Sequence, residues 1–185
     1  MTASSSKPVP LRTWRQRSVV AAPHGRCMAR DVLLRGLMPV PFPHHYQTWL
    51  VRTLSSRARL EAPPRPLIAG GPPAELDGDA TSWSSQHLLL SSIGLSLLTT
   101  FEALAARDRV DLVSWEARVG GTVDRTDDGL RFTSFSVEID MEVGDVVRAK
   151  ATLDETKQHC LITSALRVPV TIDAKIRPPA VRKAG

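Results

Sequence analysis

An α+β domain is the fold class this sequence predicts, and three observations predict it. A capped, strongly apolar stretch from Ser84 to about Arg107 has the length of a long helix. After it, Val113–Val119 and Phe135–Met141 alternate strictly between apolar and polar residues, which is the period of a half-buried strand. Further helical sequence and one more alternating run close the chain. The order of strands, long helix, two strands, helix and strand gives an α+β fold with antiparallel sheet.

Each element has its own local reason. Tyr46–Leu54 is rich in residues that suit a pleated surface, and Arg57–Leu60 and Pro66–Ala69 are shorter strand candidates. Gly70-Gly71-Pro72-Pro73 interrupts them, and the polar loop Glu75–Ser82 follows. Ser84 is placed as an N-cap, so the helix is expected from Ser85. Its apolar residues, from Leu88 to Leu104, run nearly all the way round. Such a helix must be buried on most sides, inside a wrapping sheet or in an oligomer. Asp127-Asp128-Gly129 turns the next two strands into a hairpin. Asp145–Gln158 reads as an amphipathic helix, Cys160–Leu166 as a short one, and Val168–Ile176 as the last strand.

Composition narrows the function classes. The chain has 185 residues, 42% of them hydrophobic and 23% charged, which fits one globular domain with a real core. Its net charge of +5 is unevenly spread. Residues 1–37 carry seven basic groups and one acidic group, hence +6, and the remainder carries 17 basic and 18 acidic groups, hence −1. Nucleic-acid binding needs a basic surface, and only the tail could supply one, so that function is set aside. The two cysteines, Cys27 and Cys160, do not make a disulfide scaffold and suit a reducing cytoplasm. No run reaches the roughly 18 apolar residues a membrane span needs. The domain is expected over 38–177, between a basic, disordered extension at 1–37 and a short tail at 178–185. A transit peptide, or a true start at Met38, is an alternative account of the extension.

The helix Ser84-Ser85-Gln86 cap, the apolar run Leu88–Leu95, the Gly-Gly-Pro loop ahead of it and the Cys160-Leu161-Ile162-Thr163-Ser164 turn before the last strand resemble the OsmC/Ohr family. The likeness covers about His44 to Ile176. It implies an OsmC-like fold, with antiparallel sheets around a long buried central helix in an intertwined homodimer. It also implies peroxiredoxin-like chemistry in organic hydroperoxide resistance and the oxidative stress response, with no cofactor. In that family a first cysteine attacks the peroxide, a second closes a disulfide, and a Glu-held Arg stabilises the first thiolate. The family's active site lies in an apolar pocket at the subunit interface that admits organic peroxides.

Carried over by position, the attacking cysteine is Ser96 and the Glu is Gln86. The resolving cysteine is Cys160, 64 residues beyond Ser96. Arg57 is the best match for the Arg, with Arg52 and Arg59 as substitutes. A serine hydroxyl stays protonated near neutral pH without a positioned base. The neutral Gln86 cannot pair ionically with an Arg. The resemblance therefore implies a family member without the two-cysteine peroxidase cycle, keeping an apolar interface pocket for a hydrophobic small molecule or organic hydroperoxide. Two other readings stand beside it. One is a thiol-dependent peroxidase using Cys160 alone. The other is a non-catalytic structural or regulatory protein whose tail binds an acidic partner.

Plainer roles exist for each residue. Ser96 reads as a core serine bonding back to its helix, and Cys160 as a small buried hydrophobe. His44-His45, His87 and His159 match no zinc spacing. His159, although next to Cys160, points in another direction on a helix.

Overall fold

The computed structural model describes residues 43–53 and 57–180. The basic extension at 1–37, Cys27, Met38 and the last residues, 181–185, lie outside the described residues. Three short strands come first: β1 (Trp49–Arg52), β2 (Ala58–Glu61) and β3 (Ile68–Gly70). They form an antiparallel sheet of that order. β1 and β3 are shorter than the expected Tyr46–Leu54 and Pro66–Ala69, while β2 has the four residues expected, moved on by one; Pro66 and Pro72, which cannot donate to a ladder, bound β3. This sheet is tied to the next element through Trp83, whose N–H donates to Ala69 O and whose carbonyl accepts from Gly71 N–H, each at 3.0 Å. Gly70 allows that approach: a Cβ there would sit 2.6 Å from Leu60 Cδ1 and 3.3 Å from the Trp83 carbonyl oxygen.

Helix α1 (Ser85–Asp108) begins where Ser84 was expected to cap it. The Ser84 hydroxyl accepts from His87 N–H at 3.2 Å, satisfying one of the free donors of the first turn. The helix ends at Arg109, in the left-handed conformation with φ 56°. Ile93, Leu97, Phe101, Leu104 and Ala105 form its buried stripe. The opposite side is open: Leu95 is 62% exposed. The expected burial on most sides is therefore not met within one chain. One small sheet and two helices cover only a stripe of a helix this apolar.

The hairpin of β4 (Leu112–Thr126) and β5 (Gly129–Val143) is longer than the sequence pattern indicated, running to Thr126↔Gly129 at its tip. Gly129 has φ 98°, a conformation that favours glycine. Phe135, Val137, Ile139, Met141 and Val143 of β5 are buried in one cluster with the α1 stripe. Phe101 packs against Trp115 of β4, with ring centroids 5.2 Å apart. Helix α2 (Val146–His159) is capped by Asp145, whose side chain accepts from Arg148 N–H. The short α3 (Leu161–Ala165) follows, and β6 (Val170–Arg177) completes the second sheet in the order β4-β5-β6.

The antiparallel expectation needs one correction. The first sheet and the β4–β5 hairpin are antiparallel, whereas β6 lies parallel to β5, from Phe135↔Val170 to Glu142↔Arg177. The reason is the connection. A parallel neighbour requires a long crossover, and α2 with α3 supplies it.

An ion-pair cluster fastens the end of α1 to α2. The Arg107 guanidinium bridges Asp108 and Glu155, and Thr152 donates to Asp108 at 2.9 Å. These bonds, with Arg107 first among the causes, hold the Asp108 and Glu155 carboxyls below their ordinary range. A carboxylate with a depressed folded-state pKa contributes stability above its unfolded pKa and loses it as pH falls through the folded value. Glu155→Gln is expected to lower unfolding free energy by about 1 kcal/mol at neutral pH. Urea titrations of both proteins check this, and the gap should close as pH drops below the usual carboxylate range.

Candidate functional site

Two of the four positions marked by sequence meet in space. Ser96 Oγ lies 3.1 Å from Cys160 Sγ, across 64 residues of chain. The stripe of α1 that enters the core turns Ser96 towards the junction of α2 and α3, where Cys160 sits. Cys160 is fully buried and is a free thiol. Its backbone is held from both sides: its N–H donates to Thr156 O at 2.9 Å, and its carbonyl accepts from Ser164 N–H at 3.1 Å and the Thr163 hydroxyl at 3.2 Å. The reading of Ser96 as a serine bonding back to its own helix is corrected: its hydroxyl faces a thiol. Ser92 makes the back-bond, to Leu89 O at 2.7 Å.

The other two positions do not join this pair. Gln86 stands ten residues before Ser96 on α1, which is roughly 15 Å along the axis. Its carbonyl oxygen accepts from the Ser85 hydroxyl at 3.1 Å. Arg57 pairs instead with Asp79, Nε to Oδ2 at 2.9 Å. Asp79 also accepts from Thr81 N–H at 2.8 Å, from the Thr81 hydroxyl and from the Ser82 hydroxyl. The Thr81 bonds, then Ser82 and Arg57, hold its carboxyl well below the usual range. Sequence reading passed over Asp79 as part of a polar loop. The signal was the Asp-Ala-Thr-Ser order, which lets a carboxylate fold back on the donors that follow it. Arg59 pairs with Glu61 at 2.8 Å. His159 lies 3.9 Å from Glu155 through Nε2.

Chemically, a hydroxyl and a thiol in contact can share a hydrogen bond. They cannot close a disulfide. An apolar groove of about 440 Å³ also borders α1, walled by Trp83, Leu90, Leu98, Trp115 and Val119. None of Ser96, Cys160, Gln86 or Arg57 lines it.

Two three-stranded sheets with a long helix between them in the chain make an α+β fold of the OsmC-like class. The family model for OsmC-like proteins matches residues 78–175, more than half of the chain. The chain belongs to the OsmC-like family. It is similar to an OsmC-like protein of unknown function from Vibrio cholerae, with TM-score 0.65, 10% identity and coverage of 72% of this chain and all (100%) of that one. An OsmC-like protein from Mycoplasma pneumoniae aligns with TM-score 0.65 and 14% identity over 74% of this chain and 99% of that one. An organic hydroperoxide resistance protein OsmC from Legionella pneumophila aligns with TM-score 0.58 and 13% identity over 73% and 99% of the two chains. No curated protein matches the chain in sequence. Identities this low support the shared fold alone.

The contact between Ser96 and Cys160 makes a covalent test direct. In a Cys27→Ala background, Ser96→Cys is expected to form a disulfide with Cys160 on mild oxidation. Loss of both titratable thiols, restored by reductant, measures it. Two thiols that persist under oxidation would contradict the placement of the pair.

Proposed function

We propose that this chain is an OsmC-family protein that has left the two-cysteine peroxidase cycle. The supporting observation is the 3.1 Å contact of Ser96 Oγ with Cys160 Sγ, at the two positions where the family resemblance puts paired cysteines. In the cycle a thiolate attacks one peroxide oxygen and the O–O bond breaks. The alkoxide leaves to become alcohol, and the sulfur is oxidised to sulfenic acid. A second thiol then displaces water to form the S–S bond. A serine at the attacking position supplies no sulfur for either step. The neutral Gln86 and the engagement of Arg57 by Asp79 agree with the loss, since no thiolate needs a cation beside it. The full burial of Cys160 speaks against a one-cysteine peroxidase built on that thiol.

The protein acts, in this reading, as a cytoplasmic homodimer with an apolar site for a small molecule. Support for the dimer comes from what one chain leaves uncovered. Trp49, Leu50 and Val51 of β1 are 55%, 69% and 44% exposed, and Leu95 on α1 is 62% exposed. An apolar helix face and an apolar strand of this kind mark an association surface.

Purified protein given cumene hydroperoxide and a dithiol reductant is expected to show no turnover. The double variant Ser96→Cys with Gln86→Glu is expected to gain it. Turnover in the parent that Cys160→Ala abolishes would overturn the proposal. Sedimentation velocity is expected to give a dimer, and a monomer at micromolar concentration would remove that part of it.

A further inference from the structure

We propose that the basic N-terminal extension of this chain docks on the outer face of the β4-β5-β6 sheet. The strands of that sheet turn Trp115, Val119, Val137 and Ile139 into the apolar cluster with α1, and turn Glu116, Arg118 and Glu138 the other way, to solvent. The outer face is thus on the far side of the sheet from α1. It is separate from the exposed apolar residues of β1 and α1 to which the dimer is assigned, and it lacks the apolar centre that a subunit interface carries. A groove of about 600 Å³ lies on it. Four carboxylates line the groove, Glu116, Glu138, Asp140 and Asp173, against the two cations Arg118 and Lys175, a net of −2.

The strand register sets like charges side by side. Glu116 stands opposite Asp140 across β4 and β5, and Glu138 opposite Asp173 across β5 and β6. Like charges directly opposite destabilise a sheet. The cations of the face relieve only part of this. Arg177 pairs with Asp140 at 2.9 Å and Arg118 lies 3.8 Å from Glu138, while Glu116 and Asp173 have no ion pair among the described residues. Nor do the carboxylates converge: among the described residues no group is arranged to hold a metal ion. Negative charge spread along a groove suits a polycation whose charges are spaced. The chain carries one. Residues 1–37 hold seven basic groups, six of them arginines, against one acidic group. A guanidinium pairs with a carboxylate through two parallel bonds. In Arg12-Thr13-Trp14-Arg15-Gln16-Arg17, an extended backbone sets Arg15 and Arg17 on one side, about 6.8 Å apart, which is the spacing of Glu138 and Asp140 on β5. Reach is ample, since the 26 residues from Arg17 to Pro43 span up to roughly 85 Å. Each exposed ion pair is weak by itself. The tether offsets that weakness by holding the segment at an effective concentration on the order of millimolar.

A spin label beside Arg12 reports the contact. In full-length protein with Cys27→Ala and Thr13→Cys, the label goes to position 13, because Cys160 is fully buried. At low salt the backbone amide signals of Glu116, Glu138 and Asp173 are expected to broaden, and to recover at about 0.5 M salt, where exposed charges are screened. The broadening should be lost in the triple variant Glu116→Gln, Glu138→Gln and Asp173→Asn. These changes keep side-chain shape and remove like-charge contacts, and unshifted core amide signals show that the fold is kept. Replacing Arg12, Arg15 and Arg17 together by Gln should abolish the broadening as well. Amides of the outer face that stay sharp in the parent would overturn the proposal. So would broadening that survives in the triple variant or that centres on another surface. Mixing isotope-labelled protein that lacks the spin label with spin-labelled protein that lacks the isotope shows whose extension is bound. Sharp outer-face signals in that mixture support docking within one chain, and broadened ones would give the groove to a second copy's extension and overturn it.

Discussion

The packing of one stripe of α1 against the alternating inner residues of β5 is the constraint on which the rest depends. Ile93, Leu97, Phe101 and Ala105 recur at four-residue spacing, while Phe135, Val137, Ile139 and Met141 recur at two. Each period presents a continuous apolar face, and the two faces share one buried cluster. That contact fixes the rotation of α1 about its axis. Once the rotation is set, Ser96 must turn to the side where α2 and α3 close the core, and His87 must turn to the other. The meeting of Ser96 and Cys160 is thus a consequence of one helix being pinned in one orientation.

The brace at the end of α1 works on the same rotation. Arg107 is far from both sites along the helix, yet its links to Asp108 and Glu155 hold α1 to α2 at a second point. A helix fixed by an apolar stripe alone can slide or turn by small amounts within its groove. A two-sided guanidinium bridge resists both motions because its donors are set in a rigid plane. Helix α2 carries Cys160 at its C-cap, so the brace and the Ser96–Cys160 contact join the same two helices. The cluster is partly open to water, and its energetic share is correspondingly modest. Its main effect is geometric.

Much of this was legible in the sequence, and the parts that were not have physical causes. Ser84 could be read as a cap because its chemistry is local. The hairpin could be read because period-two alternation is local as well. The pairing of β6 could not, since direction depends on where α2 and α3 return the chain, and no short pattern carries that. The openness of α1 was also hidden. Hydropathy says that a helix is apolar all round, but not how many of its sides a single chain covers. The positions of Ser96 and Cys160 came from family resemblance, and their contact from folding. Asp79 was missed because a carboxylate in a polar loop looks solvated until Thr81, Ser82 and Arg57 are seen around it. The sequence offers His87 only as a metal ligand, because its contact with the buried Ser84 hydroxyl exists only once the helix forms.

Substitution at Ser96 need not have cost the fold anything. Oxygen for sulfur is a small change in volume at a half-buried position, and the Cys160 thiol still has a polar neighbour. In the proposed reading, a serine at this position therefore leaves neither a cavity nor an orphaned group. Gln for Glu at residue 86 is equally mild, at a first-turn position with a hydroxyl beside it. The packing of α1 rests on its apolar stripe, not on the atom at position 96.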